Sequence, residues 1–357
     1  MNKSFWDGKK VLITGNTGFK GSWLSLWLLS LGADVQGYAL QPMDKPNLFS
    51  TFNLDKDMKT VYADIRDFES LNNCFMSFDP EIVIHMAAQP LVRYSYDNPL
   101  ETYSTNVMGT ANLIECLRLG SRERVLINVT TDKCYENKEW LWGYREDEPM
   151  GGYDPYSSSK GCSELVTSAY RRSYFNPDNH GEHGVAIASA RAGNVIGGGD
   201  WSKDRLIPDF IRAISDGTAV NIRNPNAIRP WQFVLAPLSG YMSLVERMFS
   251  DRKKFSQAWN FGPEESDAKT VGWIIKKIVE IWGDGASYNI SESDVNPHEA
   301  NYLKLDCSKA KSMLGWEPSI DLTKSLENIC TWHKALNNKK DIISLSLAQI
   351  KDYETKL

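Results

Sequence analysis

The stretch that decides the fold lies near the start of the chain and reads KVLITGNTGFKG, residues 10–21. Its first five residues are mostly aliphatic or β-branched, which predicts a buried strand. Glycines at 15, 18 and 21 follow, before an apolar helical segment at 23–31. Glycine is needed where the turn is tight, where backbone touches a pyrophosphate and where helix meets sheet. This order predicts a dinucleotide site in which a helix N-terminus binds phosphate.

Apolar runs rich in β-branched residues alternate with helical segments over the rest of the N-terminal half. Further strands are predicted at Asp34–Tyr38, Lys59–Ala63, Glu81–Met86, Arg124–Val129 and Gly184–Ser189, and helices at Thr105–Leu119 and Pro155–Tyr174. Such alternation is typical of a parallel sheet covered by helices on both faces. We therefore predict an α/β fold, a Rossmann-type doubly wound parallel sheet with a smaller C-terminal α/β substrate lobe.

The pattern changes after about residue 190, where glycines at 197–199 and several prolines break the chain into short elements. We predict that residues 1–190 form an NAD-binding Rossmann domain that carries the catalytic residues. Residues 191–357 are predicted to form mainly a substrate-binding lobe, partly threaded back onto the first domain. The polar tail from Lys339 onward has no evident role in the sequence.

Composition excludes several classes of function. The 357 residues are 42% hydrophobic and 24% charged, with a net charge of −5, which gives no reason to expect a nucleic-acid or membrane partner. We find no run long enough to span a bilayer and no secretory signal pattern, so we expect a cytoplasmic protein. Six scattered cysteines predict reduced thiols, and five histidines without ligand spacing predict no metal site.

The predicted cofactor site departs from the usual dinucleotide pattern in one respect. An acid normally ends the second strand and holds the adenosine ribose, but Tyr38-Ala39-Leu40 carries none. No basic cluster is present for a 2′-phosphate, so we predict NAD rather than NADP, with unusual ribose contacts. Asp64 and Ile65, after the third strand, either flank the adenine or belong to a solvated turn.

The segment DPYSSSK, residues 154–160, has the chemistry of a helix start, with Asp154 as N-cap and Pro155 at the first helical position. Tyr156 and Lys160 then lie on one face of the helix. A phenol has a reference pKa of about 10 and is a poor base at neutral pH, but a nearby cation favours the phenolate. The pair can therefore remove a hydroxyl proton while hydride leaves the same carbon. On a helix surface alone, this spacing is common; the preceding sheet pattern and glycine loop favour the catalytic interpretation.

Another polar segment, Thr130–Tyr135, follows the fifth predicted strand. Catalytic groups in open α/β sheets gather at the carboxyl ends of strands. A hydroxyl at Thr131 could orient a substrate or the Tyr156 phenol, although the segment taken alone is more typical of a polar turn.

These motifs resemble the extended short-chain dehydrogenase/reductases and, within them, the nucleotide-sugar 4,6-dehydratases. The resemblance covers nearly the whole chain and is carried by Gly15–Gly21, His85–Gln89, Thr105–Thr110, Thr131–Asp132 and Tyr156–Lys160. Further segments resemble one branch of the family and imply CDP-glucose as the small-molecule substrate. They are Arg191–Trp201, Ile228–Gln232, Pro297–Ala300, Leu303–Asp306 and Lys133, the last of which is Glu in other branches.

The resemblance implies a three-step loss of water. Tyr156, helped by Thr131 and Lys160, would take the C4 hydroxyl proton as hydride passes to NAD. Asp132, held protonated by burial, would then be the acid that releases the C6 hydroxyl, and hydride would return to C6. Lys133 would be the base at C5, or it would anchor cofactor or substrate through its charge. The product would be a 4-keto-6-deoxy sugar nucleotide, for deoxysugar (lipopolysaccharide O-antigen) biosynthesis.

The remaining site residues are assigned by position and resemblance. The predicted catalytic residues are Thr131, Asp132, Lys133, Tyr156 and Lys160. The predicted cofactor-binding residues are Gly15, Asn16, Thr17, Gly18, Phe19, Lys20, Asp64, Ile65, Ala87, Ala88, Gln89, Asn106, Tyr156 and Lys160. The predicted substrate-binding residues are Gln89, Arg93, Asn194, Arg205, Arg229, His298 and Tyr302.

Two of these assignments have structural alternatives. Arg229 is the first candidate for the substrate diphosphate, because arginine binds phosphate bidentately, but it could form a salt bridge between lobes. Asn106, in mid-helix, could instead brace the active-site helix. The resemblance also implies a homodimer formed through the helices at 105–119 and 155–174.

Three other functions remain open: a nucleotide-sugar 4-epimerase, a dehydratase for another nucleotide, and a non-catalytic NAD-binding protein on the same fold. An epimerase needs no acid and base after Thr131, so Asp132 and Lys133 favour dehydration. Thr131, Tyr156 and Lys160 together argue against a non-catalytic protein.

Overall fold

A computed structural model describes residues 1–42, 46–120, 122–222, 224–283, 285–290 and 302–357. The predicted substrate residue His298 lies outside these ranges. The described strands, in chain order, are β1 Lys10–Thr14, β2 Asp34–Ala39, β3 Lys59–Tyr62, β4 Ile82–His85, β5 Arg124–Val129, β6 Val185–Ala192, β7 Val195–Ile196, β8 Val220–Ile222, β9 Ile228–Pro230, β10 Gln232–Phe233, β11 Ala258–Phe261, β12 Ala268–Thr270 and β13 Tyr288–Ile290.

The described helices surround these strands. In chain order they are α1 Lys3–Trp6, α2 Phe19–Ser30, α3 Leu48–Thr51, α4 Phe68–Phe78, α5 Val92–Asp97, α6 Pro99–Tyr103, α7 Gly109–Leu119, α8 Pro155–Ser173, α9 His180–His183, α10 Leu206–Ser215, α11 Leu235–Ser250, α12 Arg252–Phe255, α13 Val271–Trp282, α14 Ser308–Leu314, α15 Leu322–Asn337 and α16 Ile342–Glu354. A π-helical turn, Ser104–Met108, leads directly into α7, and a 3₁₀ turn, Asp132–Cys134, follows β5.

One seven-stranded sheet organises the molecule, in the order β3-β2-β1-β4-β5-β6-β11 with every neighbouring pair parallel. Nearly all residues of β1, β4, β5 and β6 are buried, as expected for strands covered on both faces. The predicted α/β fold with a doubly wound parallel sheet is confirmed, and two strands, Lys10–Thr14 and Arg124–Val129, have the predicted bounds.

The alternation of side chains along each strand supplies two separate cores. Val11 and Ile13 of β1 belong to a large core that also contains apolar residues of α2, α11 and α15. Leu12, between them, belongs to a second core built with α4 and α7. The sheet is therefore held rigidly from both sides, which fixes the ends of its strands as a platform for a site.

The C-terminal part of the chain contributes directly to the sheet. Strand β11 pairs with β6 at the edge and was not predicted from the sequence. The predicted boundary between 190 and 191 falls inside β6, so the division into 1–190 and 191–357 stays a prediction.

The polar tail also contains a docked helix, α16. The Trp27 indole nitrogen of α2 donates to Glu354 Oε1 at 2.8 Å, and the Trp27 and Tyr353 rings lie 6.1 Å apart. The tail is therefore part of the wall that supports α2 and the glycine loop before it.

All six cysteines are free thiols. Over the described ranges, no helix combines the length and apolar character needed to cross a membrane.

Candidate active site

The glycine loop between β1 and α2 has the shape of an anion cradle. Gly15 has a φ of +74°, and a Cβ there would lie 2.7 Å from the Ala87 backbone nitrogen. A Cβ on Gly21 would lie 2.2 Å from the Gly15 carbonyl oxygen, so both positions require glycine. Gly18 is the N-cap of α2 and offers no side chain to the first turn. The N-terminus of α2 is thus left to an external anion such as a pyrophosphate.

Asn16 and Thr17 anchor this loop to the second and third strands. The buried Asn16 amide donates to Thr60 Oγ1 at 2.9 Å, and a Cβ on Gly37 would lie 2.3 Å from the Asn16 side chain. The Thr17 hydroxyl donates to the Leu40 carbonyl oxygen at 3.0 Å. Both predicted cofactor residues therefore also hold the loop in place.

The end of β2 is occupied by a buried phenol where dinucleotide folds usually carry an acid. Tyr38 is fully buried, and its hydroxyl donates to the Asp64 carbonyl oxygen at 2.9 Å. The Asp64 carboxylate is bound by the Arg66 guanidinium, whose hydrogen bond lowers the pKa of Asp64. Ile65 is buried against Gly109 at the start of α7. Asp64 and Ile65 lie near the cofactor end of the sheet, but both already have partners within the protein.

Asn106 ties the end of β4 to the helix that carries Tyr156. Its Oδ1 accepts from the Gln89 backbone at 2.8 Å, and its Nδ2 donates to Ser159 Oγ at 2.8 Å. The Gln89 side chain turns away to donate to Thr102 Oγ1 at 2.9 Å. The contacts of Asn106 are those of a brace for the active-site helix, and Ala87 and Ala88 lie just before them beside the glycine loop.

Helix α8 begins as its sequence indicates. The Asp154 carboxylate accepts from the Ser157 backbone N–H at 2.9 Å and caps the helix, and Pro155 occupies its first position. Lys160, one turn beyond Tyr156, donates from Nζ to the Val129 carbonyl oxygen at 3.2 Å. This bond fixes the active-site helix against the end of β5, where Thr131 lies.

The pKa values of Tyr156 and Lys160 are shifted mainly by burial. Burial raises the pKa of Tyr156 to about 12, while a hydrogen bond with Thr131 acts in the opposite direction. Burial lowers the pKa of Lys160 to about 8, opposed by the Glu164 carboxylate. The lowered phenol pKa that the sequence led us to expect is not found in the protein alone, because the cost of a buried phenolate outweighs the favourable contacts.

Asp132 and Lys133 form an ion pair at the same strand end. Asp132 is fully buried, and its Oδ1 accepts from Thr131 Oγ1 at 2.9 Å and from Lys133 Nζ at 3.0 Å. Its Oδ2 has no hydrogen-bond partner within the described ranges, and a Cβ on Gly193 would lie 2.9 Å from it. Lys133 Nζ also donates to Asn194 Oδ1 at 3.4 Å. The chain thus places a buried carboxyl with one unused oxygen beside a cation.

A buried ion pair that we did not predict, between Glu164 and Arg191, lies beside this cluster. Glu164 and Arg191 are each 4% exposed and lie 2.9 Å apart. Thr130 and Ser189 also donate to the Glu164 carboxylate, at 2.5 and 2.7 Å. The spacing from Lys160 to Glu164 is one helical turn, which could have indicated that Glu164 faces the same strand ends.

Lys20 turns from the glycine loop toward the catalytic groups. Burial and the charges of Lys160 and Arg205 lower the pKa of Lys20 to about 7, while Asp132 acts in the opposite direction. Its ammonium lies 6.0 Å from the Tyr241 ring centroid. The predicted cofactor residue Lys20 therefore faces the space between the glycine loop and the Tyr156 cluster.

The predicted substrate residues are held by other polar groups. Arg205 donates to Asp200 Oδ2 at 3.0 Å, and Arg93 lies 3.8 Å from Asp204 Oδ1. Arg229 donates to the Ile228 carbonyl oxygen, and Tyr302 donates to the Leu141 carbonyl oxygen.

Only part of this set is brought to the catalytic cluster. Asn194 reaches it through Lys133, and the charge of Arg205 acts on Tyr156. Arg229 precedes Pro230, whose ring lies beside Gly193 and hence near Asp132. Within the described ranges, the hydrogen bonds of Tyr302 join it to Asn137 and Leu141 and not to the cluster.

Sheet order, glycine loop and the Tyr156–Lys160 pair define an extended short-chain dehydrogenase/reductase. The family model described as GDP-mannose 4,6 dehydratase matches residues 12–329, and the chain belongs to this family. It is 57% identical over 353 residues to the CDP-glucose 4,6-dehydratase of Salmonella typhimurium, covering 99% of this chain and 98% of that protein.

Two solved structures share the fold. A dTDP-glucose 4,6-dehydratase from Bacillus anthracis in complex with NAD has a TM-score of 0.76 at 19% identity, over 94% of this chain and 100% of that one. A UDP-glucose 4-epimerase from Thermotoga maritima, solved with UDP-glucose, has a TM-score of 0.77 at 22% identity, over 92% and 99%.

Proposed function

We propose that the protein converts CDP-glucose to CDP-4-keto-6-deoxyglucose and water, with NAD as a cofactor that is restored in each turnover. The observation that carries the proposal is the Asp132–Lys133 pair beside Thr131 and Tyr156. A 4-epimerase needs proton transfer only at the C4 oxygen and would leave the pair idle. The 57% identity to a CDP-glucose 4,6-dehydratase supports the choice of nucleotide and sugar.

The glycine loop fits a dinucleotide. A Cβ on Gly15 or Gly21 would collide with neighbouring backbone atoms, so both positions are glycine and the loop stays tight and bare. Gly15–Lys20 would hold the pyrophosphate, and Ala87, Ala88 and Lys160 would line the nicotinamide end. When bound, NAD would accept a hydride from C4 of the sugar, and the reduced cofactor would return it to C6.

The first task of the protein is to remove the C4 hydroxyl proton. Tyr156 is the acceptor, and it must be a phenolate to act. Its pKa of about 12 shows that burial opposes ionisation in the protein alone. The Thr131 hydroxyl and the Lys160 ammonium, one turn away, favour the phenolate, and a positively charged ring bound beside them would add to that effect.

The second task is elimination, which becomes possible because a C4 ketone makes the C5 proton acidic. The ion pair of Lys133 and Asp132 holds one proton between them. Moving that proton from the Lys133 ammonium to the Asp132 carboxylate creates a neutral amine and a carboxylic acid together. The amine then takes the C5 proton, and the acid protonates the departing C6 hydroxyl. One internal proton shift thus prepares both the base and the acid.

The alternative role of Lys133 is to anchor the substrate. Its bond to Asn194 and its 31% exposed side chain are compatible with a cation that binds a sugar or phosphate oxygen. The two roles differ in their effect on C5 proton exchange, which only the base role requires.

Substrate binding is proposed for arginines near the C-terminal lobe. Arg205 is held by the buried Asp200, which orients a guanidinium that can still bind a phosphate oxygen. Asn194 lies beside Lys133 and is placed to contact the sugar. Arg93 and Arg229 are further candidates for the diphosphate; Gln89, Tyr302 and His298 keep their proposed roles without a contact that supports them.

We also propose a cytoplasmic homodimer. Large apolar side chains are exposed along the two helices that the sequence suggested, including Met108 at 55%, Leu119 at 48% and Leu165 at 57%. Exposed apolar side chains on both helices are compatible with an interface there. Sedimentation of wild type and of Leu165→Glu tests it; the variant is expected to be a monomer, and a monomeric wild type would exclude the dimer.

The proposed function is tested by incubating the protein with CDP-glucose and NAD, adding alkali and measuring the ultraviolet absorbance of a 4-keto-6-deoxy product. We expect a signal with CDP-glucose and weaker signals with dTDP-glucose, UDP-glucose and GDP-mannose. A signal confined to one of the other nucleotide sugars would show that this compound, and not CDP-glucose, is the substrate. No signal with any of them would argue against dehydration and favour the epimerase or the non-catalytic NAD-binding protein.

A further inference from the structure

The Thr131 hydroxyl lies between Tyr156, the group that gains a proton in the proposed reaction, and Asp132, the group that loses one. Thr131 Oγ1 donates to Asp132 Oδ1 at 2.9 Å. The Tyr156 phenol lies close enough to the same hydroxyl that hydrogen bonding with Thr131 lowers the pKa of Tyr156. A hydroxyl carries one hydrogen and two lone pairs, so Thr131 can donate to a Tyr156 phenolate or, while it donates to Asp132, accept from a Tyr156 phenol. In the second arrangement both bonds point in the direction of proton movement from phenol to carboxylate.

The proton balance of the proposed reaction requires this movement once in each turnover. Tyr156 gains the proton of the C4 hydroxyl. Asp132 gives a proton to the C6 hydroxyl, which leaves as water when the C6–O bond breaks. Lys133 takes the C5 proton and returns it to C5 when C6 is reduced, so it ends as it began. At the end of the turnover, Tyr156 holds one proton too many and Asp132 holds one too few.

Access to Asp132 is narrow. The residue is fully buried, and its Oδ2 has no hydrogen-bond partner in the part of the chain that the structure describes. The groups that contact Oδ1 are the Thr131 hydroxyl and the Lys133 ammonium. Of these two groups, Thr131 is the one that also interacts with the Tyr156 phenol, which makes Thr131 the direct link between Tyr156 and Asp132.

We propose that the Thr131 hydroxyl relays the surplus proton from Tyr156 to Asp132 and so resets the site, an inference that rests on the proposed function. The phenol O–H bond breaks as Thr131 Oγ1 gains a proton, and the original Thr131 O–H bond breaks as Asp132 gains it. The products are a phenolate and a carboxylic acid, which is the state that the next turnover needs. The transfer uses no oxidant, reductant or added reactant.

The relay predicts a difference between the first turnover and later ones. Thr131→Val keeps the shape of the side chain but cannot carry a proton, and Thr131→Ser keeps the hydroxyl. Each protein is equilibrated with NAD, mixed with excess CDP-glucose and quenched on the timescale of one turnover. Thr131→Val is expected to form about one product per site in a first phase, slowed by the lost bond to Tyr156. Its later turnovers are expected to be slower again by about tenfold or more, within the range of general acid–base effects.

Buffer dependence separates proton transfer from slow product release. If resetting limits Thr131→Val, its slow phase should accelerate as imidazole concentration rises at constant pH and ionic strength. Wild type and Thr131→Ser should show no slow phase and no such dependence. A merely structural role for Thr131 would slow the first and later turnovers equally.

The possible results of these experiments lead to three different conclusions. A burst with a buffer-dependent slow phase in Thr131→Val, rescued in Thr131→Ser, supports the relay. Uniform slowing, or a slow phase that ignores buffer, overturns the relay while leaving the proposed function intact. Failure of the wild type to form any 4-keto-6-deoxy product overturns both.

Discussion

The two sides of the site are built in different ways. On the catalytic side, at the ends of β5 and β6 and the start of α8, polar groups are buried and bind one another, as in the Glu164–Arg191 pair. On the substrate side, Arg93 and Arg205 are about one-third exposed and paired with acids at 3.8 and 3.0 Å. Buried pairs hold a fixed geometry, whereas exposed pairs exchange partners at little cost. The comparison predicts that catalytic-side variants lose rate or stability and substrate-side variants lose affinity.

The largest effect on rate is expected from removing the Tyr156 hydroxyl. Tyr156→Phe should lower the rate of C4 oxidation by about 10²–10⁴-fold, because the variant lacks the phenol oxygen that takes the proton. Single-turnover formation of reduced nicotinamide measures this step. Tyr170→Phe, farther along the same helix with its hydroxyl 3.4 Å from Glu115, is the matched control and should stay near wild type. Full C4 oxidation by Tyr156→Phe would remove Tyr156 from the mechanism.

The largest effect on stability is expected from breaking the buried ion pair. Arg191→Met should lower the free energy of unfolding by about 3–5 kcal/mol, because Glu164 is left charged and buried. Arg118→Met breaks an exposed pair with Glu115 and should cost at most about 1 kcal/mol. Denaturant unfolding measures both.

The double variant Arg191→Met/Glu164→Leu sharpens this prediction. It removes the stranded charge and should recover much of the loss. Equal stability for Arg191→Met and Arg118→Met would mean that the two kinds of pair do not differ as proposed.

The base role of Lys133 predicts a smaller change in rate. Lys133→Met should lower the incorporation of solvent deuterium at C5 by about 100-fold, since the amine would no longer take the proton. Lys138→Met, an exposed lysine in the following segment, is the control. Normal C5 exchange in Lys133→Met would leave Lys133 only its anchoring role, and mass spectrometry of the sugar distinguishes the two results.

The smallest effect is expected on the substrate side. Arg205→Met should raise KM for CDP-glucose by about tenfold, equivalent to about 1.4 kcal/mol, with little change in kcat. Arg212→Met, in the neighbouring helix and paired with Asp209, should leave both constants near wild type. A fall in kcat without a change in KM would place Arg205 on the catalytic side and break the comparison.

Sequence predicted the parallel sheet well because its strands are buried on both faces. Two strands have the predicted bounds, and Asp154 and Pro155 begin α8 as their chemistry indicated. Strand β11 was missed because only four residues, Ala258–Phe261, form it far along the chain from the other strands. The pairing of a strand at the edge of a sheet depends on tertiary contacts, which the local sequence pattern does not reveal.

The sequence indicated which residues would lie near Tyr156 but not their electrostatics. Strand ends and resemblance led us to expect Thr131 beside Tyr156, but the rise in the pKa of Tyr156 depends on burial, which one turn of helix does not reveal. Similarly, Glu164 of α8 was missed because its partner, Arg191, lies in β6, and the sequence does not show that the two face each other. The docking of the tail through Glu354 and Trp27 also joins residues distant in sequence.

Internal hydride return with loss of water is the central claim, and one isotope experiment tests it most directly. CDP-glucose carrying deuterium at C4 is incubated with the protein and NAD, and the product is analysed by NMR and mass spectrometry. The account predicts a 4-keto-6-deoxy sugar with the deuterium at C6. Deuterium that remains at C4, in an epimerised or unchanged sugar, would contradict it.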